Sequence, residues 1–175
     1  MKRNIAAAFV ILIGYVLQTT VFQTLSFGGI SPNLLIIITS SYGFMFGRKY
    51  GMTVGFVCGL LMDIFYGSVL GFYALIYLYI GAANGVFRRV FYQNDIMLPM
   101  ALITASDFVY SIVCYFLLFL LRGRFQIGFY MKNIILPEIV YTLFVTVLLY
   151  PCILFLNKVL ENTEKRGDHK LAKKD

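Results

Sequence analysis

The chain has 175 residues, of which 60% are hydrophobic and 13% are charged, and its mean hydropathy is +0.81. Soluble domains carry about 25% charged residues, so this composition excludes an ordinary soluble fold. The formal net charge of +7 does not indicate a nucleic-acid-binding protein, because the basic residues cluster at the ends of apolar runs, as in cytoplasmic loops of membrane proteins.

Six apolar segments follow one another along the chain, and their length indicates an all-α integral membrane protein with a six-transmembrane-helix bundle. The first segment starts with basic residues, is about 20 residues long and lacks a small-residue cleavage site, which favours a spanning helix over a signal peptide. The predicted helices cover residues 5–25, 33–47, 51–66, 71–87, 96–121 and 133–156, in one transmembrane domain (1–157) followed by a polar cytoplasmic tail (158–175).

The second and third predicted helices are short for a hydrocarbon core of about 30 Å. A single helix across both would place Arg48 and Lys49 near the bilayer centre, at a cost of about 2.5–3.5 kcal/mol each. Two helices joined by a tight cytoplasmic turn avoid that cost, and a re-entrant hairpin is the alternative. Ser31 and Pro32 are typical of the start of the second helix, as capping residue and first-turn proline.

Lysine and arginine are distributed unevenly between the predicted loops. Twelve of the fifteen fall in predicted loops and termini on one side of the bilayer. The other three lie in the loop before the sixth helix, at Arg122, Arg124 and Lys132. Because Lys and Arg accumulate on the cytoplasmic side, we predict that both termini are cytoplasmic and that this basic loop is outside.

Glycine recurs every four positions through the centre of the chain, with one aspartate in the same register. In a bilayer such a segment still forms helix, because its backbone must be hydrogen-bonded internally, and the missing side chains leave a groove for another backbone. We interpret the series as helix packing within this chain, with a helix of a partner protein as the alternative. The packing or partner positions are Gly51, Gly55, Gly59, Gly67 and Gly71.

Three acidic residues, Asp63, Asp107 and Glu138, lie within the predicted membrane region, where charge is expensive. Asp63 and Glu138 fall at one predicted depth near the outer interface, level with the basic outer loop. We interpret these charges as an ion-pair cluster that is structural or binds a partner. Asp107 falls near the midplane, where it could hydrogen-bond within the bundle, carry a proton or meet a partner helix.

Nothing in the sequence indicates catalysis or a bound cofactor. There is no ATP-binding loop, HExxH motif, nucleophile elbow or kinase signature. Cys58, Cys114 and Cys152 stand singly, without the spacing of metal ligands. We therefore predict that the protein is not an enzyme and has no catalytic, cofactor-binding or metal-binding residues.

Five stretches carry a family likeness: Ser31–Leu35 (SPNLL), the Gly47-Arg48 turn, Gly51–Leu75, the Arg88-Arg89 pair and Leu136–Pro151. Together they resemble the MreD family of rod shape-determining proteins, and the likeness covers essentially 1–156. The glycine- and aspartate-rich centre is the specific part of this resemblance.

The resemblance implies a non-enzymatic, multi-pass component of the bacterial cell membrane that binds MreC directly. The wider complex would include RodA, a class B penicillin-binding protein and MreB, and would support sidewall peptidoglycan synthesis and rod shape. The family is also related in fold to the substrate-binding subunits of ECF transporters, which implies an alternative function as a vitamin-binding subunit. Short outer loops with few polar groups favour the scaffold over the vitamin-binding site.

Overall fold

The computed structural model describes residues 2–26, 29–67, 69–90, 96–118 and 127–171, and the regular structure within these ranges is helical, which confirms the all-α prediction. The shorter helical turns are a 3₁₀ turn, Phe87–Val90, and a π-helical turn, Met131–Ile135. The helices are α1 (Lys2–Thr19), α2 (Val21–Thr24), α3 (Leu34–Phe46), α4 (Arg48–Tyr66), α5 (Phe72–Val86), α6 (Met97–Leu118), α7 (Ile127–Tyr130) and α8 (Leu136–Leu171).

Three helical segments are long and apolar enough to cross a membrane: Arg3–Thr24, Met97–Leu117 and Gly128–Val159. They present large apolar side chains outward, such as Phe9 and Phe144, which are 64% and 65% exposed. A soluble protein would bury such side chains, so these faces indicate contact with lipid. The predicted count of six spanning helices stays a prediction, because α3 is apolar but shorter and α5 has 15 residues.

Helix α3 lies at the centre of the bundle and is buried from Leu34 to Met45. It contacts α1, α4, α5, α6 and α8. Because protein surrounds it on all sides, its sequence is predominantly apolar, and its polar residues Thr39, Ser40 and Ser41 are buried as well. Asn33 caps its start by accepting a hydrogen bond from the backbone N–H of Ile36, at 3.3 Å.

A single residue, Gly47, separates α3 from α4. Its φ of +91° lies in the region that favours glycine, and this allows the chain to reverse at one position. The sequence predicted a longer turn containing Arg48 and Lys49, but the structure places both in the first turn of α4, with exposed side chains.

Helix α8 continues well past the predicted end of the last spanning helix, through Leu171. The sequence analysis expected a polar tail beyond residue 157, and the first part of that tail is helical. Its Leu, Glu and Lys residues are good helix formers, so the hydrogen-bond ladder extends beyond the apolar segment.

Candidate functional site

The glycines of α4 lie where α4 packs on α5, in the most extensive helix contact of the described bundle. A Cβ at Gly59 would lie 2.5 Å from the Cα of Ala74, and a Cβ at Gly55 would collide with the carbonyl oxygen of Tyr77. These neighbours are backbone atoms, so no side-chain rotation would make room. The two helices therefore approach at backbone distance, as glycine-rich membrane helices do.

Helix α5 contributes glycines of its own. A Cβ at Gly81 would collide with the carbonyl of Gly51, and a Cβ at Gly85 would collide with the backbone of Arg48. A Cβ at Gly43, on α3, would lie 2.7 Å from the carbonyl oxygen of Gly81. The sequence analysis did not single out Gly81 and Gly85, although their spacing of four is the signal that could have identified them.

Gly67 and Gly71 lie in the connection between α4 and α5, away from the packed helix faces. The N–H of Gly67 donates to the carbonyls of Met62 and Asp63, at 3.0 and 3.1 Å, and ends α4. Gly71 has a φ of +98°, and nothing lies within 4 Å of where its Cβ would be. Its role is therefore conformational, because the left-handed backbone requires glycine whatever the space.

Asp63 is 2% exposed and its carboxylate faces the start of α5. Its Oδ1 accepts a hydrogen bond from the N–H of Tyr73 at 2.8 Å, and its Oδ2 accepts from the N–H groups of Gly71 and Ala74, both at 3.0 Å. The first N–H groups of a helix lack intrahelical partners and carry partial positive charge. Asp63 therefore caps α5 from the preceding helix.

The predicted outer ion cluster is only partly within the described residues. Arg122 and Arg124 lie outside them, so pairing with either stays a prediction. Lys132 is described and its side chain is exposed. Among the described residues it forms no ion pair with Asp63 or Glu138, and Asp63 binds backbone amides instead.

Asp107 lies on α6 and Glu138 on α8, two helices that pack against each other. Asp107 is fully buried, and neither of its carboxylate oxygens has a hydrogen-bond partner among the described residues. Glu138 accepts a hydrogen bond from Oγ of Ser111 at 3.3 Å and is close enough to interact electrostatically with Asp107. The sequence analysis placed these acids at different depths, and those depths stay a prediction.

Buried polar side chains join the helices around this acid pair. The hydroxyl of Tyr77 donates to Oδ1 of Asn33 at 2.9 Å, and the N–H of Asn33 donates to Oγ1 of Thr142 at 3.2 Å. Nδ2 of Asn84 donates to Oγ of Ser106 at 2.7 Å. Such bonds hold membrane helices together because no water competes for the polar groups. Sequence reasoning missed Asn84 and Ser106, since uncharged polar residues are common in such helices.

The described residues form several concave surfaces. An apolar groove of about 860 Å³ lies between α6 and α8, beside Ala101, Ala105 and Leu143. A smaller cavity of about 300 Å³ lies near the ends of α1 and α4 and is lined mainly by uncharged polar side chains. Among the described residues, no group of three or more His, Cys, Asp or Glu side chains could hold a metal ion.

The chain was compared with protein families, curated proteins and solved structures. The family model described as rod shape-determining protein MreD matches residues 2–159. No curated protein and no solved structure matches the chain significantly.

Proposed function

Because the chain belongs to the MreD family of rod shape-determining proteins, we propose that it is a non-enzymatic component of the bacterial elongation machinery that binds MreC directly. Membership implies a role in determining rod shape and a place in the bacterial cell membrane. We further propose that the protein supports sidewall peptidoglycan synthesis, within a wider complex that includes RodA, a class B penicillin-binding protein and MreB.

The extent of the family match carries this proposal. The match runs over residues 2–159 and so includes α1 to α7 and the apolar part of α8. A match restricted to one helix could reflect hydrophobic composition alone, whereas this one includes the turns and the polar positions. It includes Asp63 and the glycines of α4, which define the α4–α5 packing.

The packing of the bundle supports a structural role. Asp63 is engaged in capping α5, and α3 is enclosed by other helices. Among the described residues, apolar outer faces of α1, α4, α5, α6 and α8 are exposed and left for a partner helix. A single-span scaffold such as MreC would meet one of these faces within the bilayer.

The proposed topology has six membrane-spanning helices and two cytoplasmic termini, in a bundle that resembles the substrate-binding subunits of ECF transporters. The distribution of Lys and Arg supports the orientation. Exposure of Arg48 and Lys49 at the start of α4 is compatible with a turn at the cytoplasmic surface.

Co-purification tests the proposed partner. Tagged MreC, captured from detergent-solubilised membranes, should retain the wild-type chain and should not retain an unrelated multi-pass protein expressed at the same level. Depletion of the chain should produce rounded cells. Capture by the energising module of an ECF transporter, with no capture by MreC, would contradict the scaffold function and favour the vitamin-binding alternative.

A further inference from the structure

We propose that one end of the bundle, formed by the α3–α4 turn, the start of α1 and the end of α5, binds the phosphate of an anionic phospholipid headgroup. The basic residues of this surface, which we call the basic cluster, are Arg3, Arg48, Lys49, Arg88 and Arg89. This lipid site goes beyond the proposed function and does not depend on it, because contacts within this chain define it.

Arg3 is held against the α3–α4 turn by two aromatic rings. Its guanidinium carbon, Cζ, lies 5.0 Å from the ring centroid of Phe46 and 5.4 Å from that of Tyr50, and both distances are in the range of a cation–π contact. The hydroxyl of Tyr50 donates a hydrogen bond to Oδ1 of Asn4 at 3.3 Å, which ties the same ring to α1. Because Arg3 is exposed, its guanidinium is fixed beside the turn and remains accessible to a ligand.

Arg88 reaches the same turn from the end of α5. A Cβ built on Gly47 would lie 2.9 Å from Cδ and 3.3 Å from Nη1 of Arg88, so the Arg88 side chain lies directly beside the glycine of the turn. Arg48 is brought close by helix packing, because its backbone occupies the space that a Cβ on Gly85 would need. Residues far apart in the sequence therefore bring positive charge to one turn.

The basic cluster is cationic whichever ion pairs form at this end of the bundle. Before the tail, Asp95 is the one acidic residue in the predicted loops on this side of the bilayer, and pairing with it would neutralise one of the five basic residues. The tail beyond residue 157 carries six basic and four acidic residues, so it adds positive charge overall. A surface with this excess of one sign attracts anions.

The start of α4 adds partial positive charge to the basic cluster. Arg48 and Lys49 occupy its first turn, which contains no acidic residue, and Gly47 provides no side chain to cap it. The first backbone N–H groups of a helix lack intrahelical partners and carry partial positive charge. Basic side chains are unfavourable at this end of a helix, and a phosphate beside them offsets the repulsion.

The position of the basic cluster favours a lipid phosphate over a soluble anion. Ile5, two residues after Arg3, is 69% exposed, and Val86, two residues before Arg88, is 61% exposed. In a membrane-spanning bundle such apolar side chains face lipid, so the arginines lie where the lipid-facing surface ends. Basic side chains at this level meet anionic headgroups, and a guanidinium binds phosphate oxygens through paired N–H donors.

Thermal denaturation of the purified full-length protein tests the site. The protein is unfolded in micelles of an uncharged detergent at constant ionic strength, with added phosphatidylglycerol or with phosphatidylcholine of the same acyl chains. A ligand that binds only the folded state stabilises it, so we expect a higher Tm in phosphatidylglycerol at equal lipid content. Sodium phosphate without lipid should leave the Tm unchanged, because the free anion is not concentrated at the micelle surface.

Single variants locate the effect. Arg3→Gln and Arg88→Gln should fold, since both side chains are exposed, and each should reduce the Tm difference between the two lipids. Arg88→Lys keeps the charge without the guanidinium and should retain only part of the difference. Lys132→Gln is the matched control, because it removes one exposed basic charge from another segment of the chain, and it should retain the whole difference.

Mass spectrometry of the lipids that co-purify with the protein provides a measurement independent of stability. The wild type should retain more phosphatidylglycerol, relative to zwitterionic lipids, than Arg88→Gln does. Equal Tm values in the two lipids, or a difference that persists in both glutamine variants of the arginines, would overturn the proposal.

Two further results would assign the basic cluster to another ligand and so overturn the lipid site. Stabilisation by sodium phosphate equal to that by phosphatidylglycerol would show a site for a free anion. If the arginine variants kept the lipid effect but lost capture by MreC, the basic cluster would bind an acidic protein segment.

Discussion

The carboxylate of Asp63 acts on α5 as a capping side chain does, although it comes from the preceding helix. It accepts hydrogen bonds from three backbone N–H groups at 2.8–3.0 Å, and the cap residue of α5, Gly71, has no side chain to do so. An ionised acceptor makes stronger hydrogen bonds than a neutral one. Asp63, near the end of α4, thus fixes the start of α5.

Asp63→Asn should therefore lower the free energy of unfolding by about 1–3 kcal/mol, because a neutral amide keeps one acceptor oxygen and loses the charge. Thermal or denaturant unfolding in detergent would measure the loss. Lys132→Met should have little effect, and the double variant should be as unstable as Asp63→Asn alone. If the double variant recovered stability, the capping role would be contradicted, and the predicted ion pair between Asp63 and Lys132 would be supported instead.

At the scale of helices, the α4–α5 pair is held by backbone contact. The glycines of α4 face the carbonyls and Cα atoms of α5, so the two helix axes are closer than side chains would permit. The short turn at Gly47 brings α3 onto the same pair. These three helices form the most closely packed part of the described bundle.

Gly55→Ala and Gly59→Ala should each disrupt this packing, because the added methyl group meets backbone atoms of α5. Overpacking typically costs about 1–3 kcal/mol, so we expect a lower level of folded protein in membranes and weaker capture by MreC. Gly128→Ala is the matched control, since nothing lies within 4 Å of its added Cβ. Normal abundance of both α4 variants would show that the close approach is not required.

At the scale of the whole molecule, the number of crossings decides the orientation of the C-terminus. Three segments are long and apolar enough to span a membrane, and three crossings would place the termini on opposite sides. If α3, α4 and α5 cross as well, the number is even and both termini share a side. The short helices therefore determine the topology.

A reporter that is active only outside the cytoplasm distinguishes these cases. Fused to the C-terminus it should be inactive, and inserted within residues 123–128 it should be active, because the charge distribution places the termini inside. Protein levels of both fusions serve as the control. An active C-terminal fusion would contradict a cytoplasmic C-terminus, and an N-terminal reporter would then distinguish an odd number of crossings from an inverted orientation.

Part of the fold and site was predictable because it depends on properties that add up along the chain. Local hydropathy and charge predict the helical class, the contact with lipid and the grouping of basic residues. The match to the MreD family confirmed the likeness seen in the glycine-rich centre. The glycine spacing could be recognised because it reflects the helical period. No periodic pattern in the sequence indicates which neighbouring helix a given helix face will contact.

By itself, the sequence determined an all-α membrane protein of the rod shape-determining family. Only the tertiary structure decided that Asp63 caps α5, that Gly71 serves the turn, and that Ser111 of α6 donates a hydrogen bond to Glu138 of α8. These pairings depend on the rotation and axial shift of each helix against its neighbours, and both are set by packing between residues far apart in the chain. The sequence therefore shows that a carboxylate within a membrane helix needs a partner, but the tertiary structure determines which group that partner is.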